Sequence, residues 1–229
     1  MPESSTIREI LSQPELWAGV TEMLTGAEGL PDRGERVAVV GCGTSWFMAQ
    51  SYAALREEAG QGETDAFTAS EVPAGRSYDR IVAISRSGTT TEIVQLLQAT
   101  STPSVLLTAV AGGPAAEHAT AEIVLADADE TSVVQTRFAT TTLALLRASL
   151  GADLTAAVAD ARAALEAPVE DAWVQADQVT FLGTGWTIGL AHEAALKLRE
   201  SSQSWTESYV EDSRSFSAAS CAKIGRAHV

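Results

Sequence analysis

The 229-residue chain carries only two cysteines, Cys42 and Cys221. That scarcity excludes a disulfide framework and leaves no metal-ligand spacing, so neither a metal nor a cofactor is expected. No apolar run approaches the about 18 to 20 residues needed to cross a bilayer. The start, Met1-Pro2-Glu3-Ser4-Ser5-Thr6, lacks the basic first residues and apolar core of a secretion signal. Together these absences predict a cytoplasmic protein with no membrane partner. Positive charge is also short: 15 Lys and Arg stand against 30 Asp and Glu, a formal net charge of −15. Such a chain repels nucleic acid and anionic lipid, and an anionic small molecule can be held only by local donors. The last absence is a third small residue after Gly-x-Gly. Trp46 and Ile188 occupy that position in the two copies of the pattern, which argues against a dinucleotide fold.

What is present is ordinary in bulk, 45% hydrophobic and 20% charged, as in soluble globular proteins. It is distinctive in one stretch, Ile81-Val-Ala-Ile-Ser-Arg-Ser-Gly-Thr-Thr-Thr-Glu92. An apolar run ends in a cluster of hydroxyls around a single glycine, and a helical pattern follows. A helix N-terminus offers unpaired N–H groups and a partial positive charge, which suits a phosphate. Ser85, Ser87, Thr89, Thr90 and Thr91 add side-chain donors, and Gly88 lets the backbone come close to a ligand. A capped helix would explain one of these hydroxyls, not five within seven residues. The strand–glycine–helix pattern recurs at Arg36-Val-Ala-Val-Val-Gly-Cys-Gly-Thr-Ser-Trp46 and at Gln178-Val-Thr-Phe-Leu-Gly-Thr-Gly-Trp-Thr-Ile188. Two such openings imply two similar α/β lobes.

The periodicity predicts helices over 6–24, with Pro14 breaking or offsetting the first, and over 44–59, 90–98, 131–150, 154–165 and 187–201. It predicts strands over 37–40, 65–69, 80–84, 104–108, 123–125 and 179–182. Strands alternating with helices at this spacing mean a mainly parallel sheet with helices on both faces. The expected organisation is an N-terminal helix and connector (1–36), a first lobe (37–150), a linker helix (151–177), the start of a second lobe (178–209) and a tail (210–229). The linker has an alternative as a plain surface helix of the first lobe.

Three motifs in order, Gly41-Cys-Gly-Thr-Ser45, Ser85-Arg-Ser-Gly-Thr-Thr90 and Glu193-Ala-Ala-Leu-Lys-Leu-Arg-Glu200, resemble the sugar isomerase (SIS) domain family. The chain is most similar to the isomerase half of glutamine–fructose-6-phosphate aminotransferase and to stand-alone sugar-phosphate deaminases and deglycases. The resemblance covers residues 37 to 209. It implies a three-layer α/β sandwich of the flavodoxin or Rossmann kind, with one complete lobe and the start of a second. It also implies a phosphosugar ligand held between the lobes of a homodimer. Ser85, Ser87 and Thr90 match the hydroxyls that hold the phosphate, with Arg86 and Gly88 in the same loop. Gly43, Thr44 and Ser45 match the loop beside the sugar. Glu130-Thr-Ser-Val-Val-Gln-Thr-Arg137 matches a segment that closes over the ligand, with Val133 and Gln135 nearest. Glu200 matches the base that moves a proton between C1 and C2, supported by Lys197 and Glu193. Arg86 stands where relatives usually carry Gln, which predicts an added phosphate contact or a different substrate.

The residue types suit that chemistry on their own terms. Aldose–ketose isomerisation needs a base over adjacent carbons and a donor for the developing oxyanion. Glu193, Lys197 and Glu200 share one helix face, although Glu…Lys pairs at this spacing are commonly solvated surface. His192 adjoins Glu193 but faces elsewhere on a helix. His118 reads as a surface residue, Cys42 as packed in its glycine loop, and Trp46, Trp186 and Trp205 as core or interface. A non-catalytic phosphosugar-binding module is the alternative function. The isomerase part of an aminotransferase is another.

After Tyr209 the resemblance stops. Relatives continue to a His-Gly-Pro segment and a C-terminal lysine that this chain lacks. Lys223-Ile-Gly-Arg-Ala-His-Val229 instead resembles a sequencing-adapter reading frame, so a truncated second lobe and a non-native, unstructured tail are expected. An incomplete lobe must dock on the first or leave Phe181, Leu182 and Leu196 in water.

Overall fold

The computed structural model describes residues 4–211. Five strands, β1 (Val37–Gly41), β2 (Thr64–Thr68), β3 (Arg80–Ile84), β4 (Ser104–Thr108) and β5 (Ala121–Val124), form one wholly parallel sheet in the order β2-β1-β3-β4-β5. Parallel strands covered on both faces need apolar residues along their centres, which explains the runs Val37–Val40, Ile81–Ile84 and Val105–Leu107 in β1, β3 and β4. Their side chains alternate between two cores. Val37, Val39, Val82, Ile84, Val105 and Leu107 pack on one face with residues of α1 (Ser5–Leu24), α2 (Thr44–Glu58) and α4 (Arg137–Ser149). Ala38, Val40, Ile81, Ala83 and Leu106 pack on the other with Ile93 and Leu97 of α3 (Thr91–Ala99).

Three local expectations need correction. Helix α1 runs unbroken through Pro14, which is buried inside it. The carbonyl of Ile10, deprived of the N–H that proline lacks, accepts instead from Gln13 Nε2 at 3.2 Å. The buried stripe of α1 is Glu9, Pro14 and Val20, while Ile7 and Leu11, expected on the apolar side, are about half exposed. Residues 131–136 are loop, and α4 starts at Arg137.

Helix α5 (Thr155–Glu166) follows with Val158, and Leu154 just before it, in the first core, and Arg162 bonds Glu15 of α1 at 2.7 Å. After the short α6 (Asp171–Val174), β6 (Gln178–Gly183), α7 (Thr187–Ser202) and β7 (Trp205–Val210) form a β–α–β unit with its own two-stranded parallel sheet. Strand β7 is an addition to the sequence expectation. Val210, assigned to the tail, pairs with Gly183, and Glu211 donates its N–H to the Gly183 carbonyl at 2.8 Å. The remaining tail residues lie outside the described residues. One face of this small sheet rests on α7: Thr206 Oγ1 donates to the Ala195 carbonyl at 2.7 Å, and His192 Nδ1 pairs with Ser208 Oγ at 2.8 Å. Leu182, Trp205 and Tyr209 share the opposite face and are exposed. Phe181 and Leu196 are half-buried. Helix α7 docks on α2 at Gly189, where an added Cβ would lie 2.3 Å from the Phe47 carbonyl oxygen.

Candidate functional site

The sheet order reverses beside β1: the chain leaves β1 toward β2, then returns on its other side to β3. In open α/β sheets the crevice beyond the strand ends at such a point is where ligands bind. Both polar loops lie there. At the end of β1 the backbone folds back so tightly that a Cβ on Gly41 would meet the Ser45 carbonyl carbon at 2.5 Å. A Cβ on Gly183, which ends β6, would likewise meet the Thr187 carbonyl oxygen at 2.6 Å. Gly43 and Gly185 have φ of 55° and 54°. The two Gly-x-Gly openings are therefore alike in three dimensions. Behind the first, Thr44 and Ser45 are buried at the N-terminus of α2.

At the end of β3, Ser85 Oγ and Thr90 Oγ1 are 2.9 Å apart, and Ser87 Oγ and Thr89 Oγ1 2.7 Å. Gly88, at φ 63°, makes the bend, with its N–H on the Ser85 carbonyl at 3.2 Å. Thr90 is the N-cap of α3, yet its side chain makes no capping bond. These hydroxyls pair with one another around the N-terminus of α3 and leave it without a side-chain capping bond from Thr90. Arg86 reaches away from the loop: its Nη1 donates to Asp129 Oδ1 at 3.0 Å and to the Glu130 carbonyl at 2.8 Å.

The 129–137 segment thus lies against the loop. The Glu130 carboxylate is buried and accepts from Thr136 N at 2.7 Å, Arg137 N at 3.2 Å and Phe138 N at 3.3 Å, so it caps α4. At the other end of the segment, Glu9 Oε1 accepts from Thr131 N at 2.7 Å and Ser132 N at 3.3 Å. Burial pushes the Glu9 carboxyl up, but hydrogen bonds from Ser132 and Thr131 outweigh it and hold the pKa below the usual value. Between these anchors Val133 is fully exposed, and Gln135 Oε1 is buried with no hydrogen-bond partner among the described residues. Sequence reasoning missed Glu9. Its signal was an acid seven residues before Leu16 and eleven before Val20, on the stripe that α1 buries.

Helix α7 brings the acid–base groups. Glu193 is buried, with the Thr44 hydroxyl beside it, so the α7 motif meets the β1 loop. Burial drives its carboxyl up to about 7, against the opposing pull of Lys197 and Thr44. Among the described residues its Oε2 has no hydrogen-bond partner. Lys197 Nζ sits 3.6 Å from Glu193 Oε1 and 2.7 Å from Glu200 Oε2. Glu200 is exposed.

The remaining candidates are placed elsewhere. His192 packs on the Phe47 ring, and burial lowers its pKa. His118 is exposed in a turn. Burial raises the Cys42 thiol pKa, the opposite of an activated nucleophile. Trp186 stacks under Arg147 at 4.8 Å, and Trp205 is exposed. Among the described residues, no group of three His, Cys, Asp or Glu could hold a metal ion, and no helix is long and apolar enough to cross a membrane.

The model of the SIS domain matches residues 32–152, more than half of the sequence. The chain belongs to the SIS domain family. Solved structures of similar fold extend past the matched SIS domain into the β6–α7–β7 unit. The C-terminal domain of glucosamine-fructose-6-phosphate aminotransferase from Francisella tularensis aligns with a TM-score of 0.69 at 20% identity, over 91% of this chain and 70% of that one. Glucosamine-6-phosphate deaminase from Thermotoga maritima aligns at 0.73 and 23% identity, over 90% and 70%. Tagatose-6-phosphate ketose/aldose isomerase from Escherichia coli aligns at 0.70 and 18% identity, over 92% and 70%. At these identities the likeness is one of fold. No curated protein sequence matches the chain.

Proposed function

We propose that the chain binds a phosphorylated sugar or amino sugar across the ends of β1 and β3. On this reading α7 moves a proton on the bound sugar, as aldose–ketose isomerisation and amino-sugar-phosphate deamination or deglycation both require. The phosphate sits among Ser85, Ser87, Gly88 and Thr90, where paired hydroxyls and the α3 N-terminus offer donors. The sugar extends toward Gly43, Thr44 and Ser45, under Val133 and Gln135. The observation that carries the reading is Glu193. A carboxyl with a pKa of about 7, seated against the β1 loop, can give and take a proton at neutral pH. Lys197, beside it, is placed to steady the negative charge that forms on oxygen when a proton leaves carbon. Glu200 is within one turn and shares Lys197, which makes it the second candidate base.

Binding without turnover is the second reading. The exposure of Glu200 favours it, because a carboxylate that water solvates is poorly set to take a proton from carbon. Incubation with fructose 6-phosphate or glucosamine 6-phosphate in deuterated water separates the two. The enzyme reading expects deuterium at C1 or C2, lost by at least about a hundredfold in Glu193→Gln. Tight binding with no exchange in the unaltered protein establishes the binding-module reading instead.

A further inference from the structure

Arg86 joins two parts of the molecule that the sequence keeps more than forty residues apart. Its backbone belongs to the hydroxyl loop and is pinned there, since its carbonyl accepts from Thr108 Oγ1 at 3.0 Å and from Ala109 N at 2.9 Å. Its guanidinium belongs to the other segment through Asp129 Oδ1 and the Glu130 carbonyl. Asp129 is itself held in place: Oδ1 also accepts the Glu130 N–H at 2.9 Å, and its carbonyl accepts from Arg137 Nε at 2.9 Å. One buried donor of the guanidinium is left over. Among the described residues Arg86 Nε, the nitrogen nearest the loop backbone, is buried and has no hydrogen-bond partner. A buried unpaired N–H is costly, and an acceptor arriving beside it relieves that cost.

We propose that Arg86 and Asp129 form a latch that lets the 131–136 segment sense an anion in the hydroxyl loop. The proposal rests on the phosphate reading of that loop. A phosphate oxygen takes the free Nε–H while Nη1 stays on Asp129, so one rigid guanidinium bridges ligand and segment. Asp129 is then a positioning residue that never touches the ligand. Arginine is required, because lysine offers a single charged nitrogen with no fixed second donor, and neutral glutamine cannot pair with Asp129 as an ion. The segment is built to report such a bridge. Glu9 and Glu130 anchor its two ends while Val133 stands free in the middle, so a change at Asp129 is passed to a short span.

The test uses the whole chain, with fructose 6-phosphate and inorganic phosphate as probes, titrated calorimetrically and followed by amide hydrogen exchange over 131–136. Arg86→Gln and Asp129→Asn are each expected to weaken binding by about tenfold, and the double variant by no more than either alone, the mark of one shared interaction. Probe binding should slow exchange in 131–136 in the unaltered protein and in neither variant. Arg86→Lys is expected to keep part of the affinity but lose the slowing. Unchanged melting midpoints show that the variants fold; if Arg86→Gln melts early, Asp129→Asn carries the comparison. Additive losses, or slowing that survives Arg86→Gln, overturn the latch while leaving the phosphate site standing. Failure of the unaltered protein to bind either probe overturns the phosphate site itself and the latch with it.

Discussion

At the scale of single residues, Glu193 ties function to stability. Its pKa of about 7 in the folded protein stands above the ordinary 4.5. The folded chain therefore holds a proton that the unfolded chain has already released between those two values. Stability must fall as pH rises through that window and level off above about 7, by on the order of 3 kcal/mol. Urea melts from pH 4.5 to 7.5 should show this decline relative to Glu193→Gln, whose profile lacks this contribution. Equal slopes in the two proteins would mean that the carboxyl is not buried as described. Glu9 behaves differently because its surroundings differ. It is as buried as Glu193 but collects backbone N–H donors from Thr131 and Ser132, which hold its pKa below the usual value, whereas Glu193 Oε2 collects none among the described residues. Burial that outweighs the available donors is what leaves a carboxyl ready to exchange its proton.

At the scale of elements, that burial depends on how closely α7 approaches α2. Gly189 sits where a methyl group would collide with the Phe47 carbonyl and with Ser51 Oγ, both at 2.3 Å. Gly189→Ala must push the helices apart, and is expected to lower stability by about 1 to 3 kcal/mol and to return the Glu193 pKa toward 4.5 as water enters. A carboxyl-carbon NMR titration reads the second effect directly; an unmoved Glu193 titration would show that the contact does not set the site. The elements most legible in the sequence were those whose cause is local. β3 and β4 could be read to the residue because a doubly covered strand must be apolar between its ends, where Ile81 to Ile84 and Val105 to Leu107 run unbroken. The hydroxyl loop was legible because its donors are consecutive. Strand β7 was not, since Trp205-Thr-Glu-Ser-Tyr-Val210 mixes polar and apolar residues and half of it faces water. The 131–136 loop was misread as helix because the carboxylate at one end of it, Glu9, lies over 120 residues away. Pro14 was misread because its lost bond is replaced by a side chain. In the last two misses a distant or side-chain hydrogen bond overrode the backbone pattern.

At the scale of the molecule, the five-stranded sheet is covered on both faces and the two-stranded sheet on one. Leu182, Trp205 and Tyr209 form the uncovered face. Replacing Leu182 and Trp205 together with lysine should lower binding of a hydrophobic dye and reduce self-association, while shifting stability by less than about 1 kcal/mol. A large drop in the melting midpoint would instead mean that this face is already buried in solution. No strand of β6–α7–β7 is hydrogen-bonded into the main sheet, so the unit can swing off without breaking a rung of the larger ladder. When it does, Glu193 leaves Thr44 while the main sheet stays folded. Under the function proposed above, activity and apparent affinity then scale with the docked population: a sample docked half the time titrates about twofold weaker, with its main thermal transition unmoved. Two preparations with the same melting curve can therefore differ in specific activity, and the ratio counts the closed molecules in each.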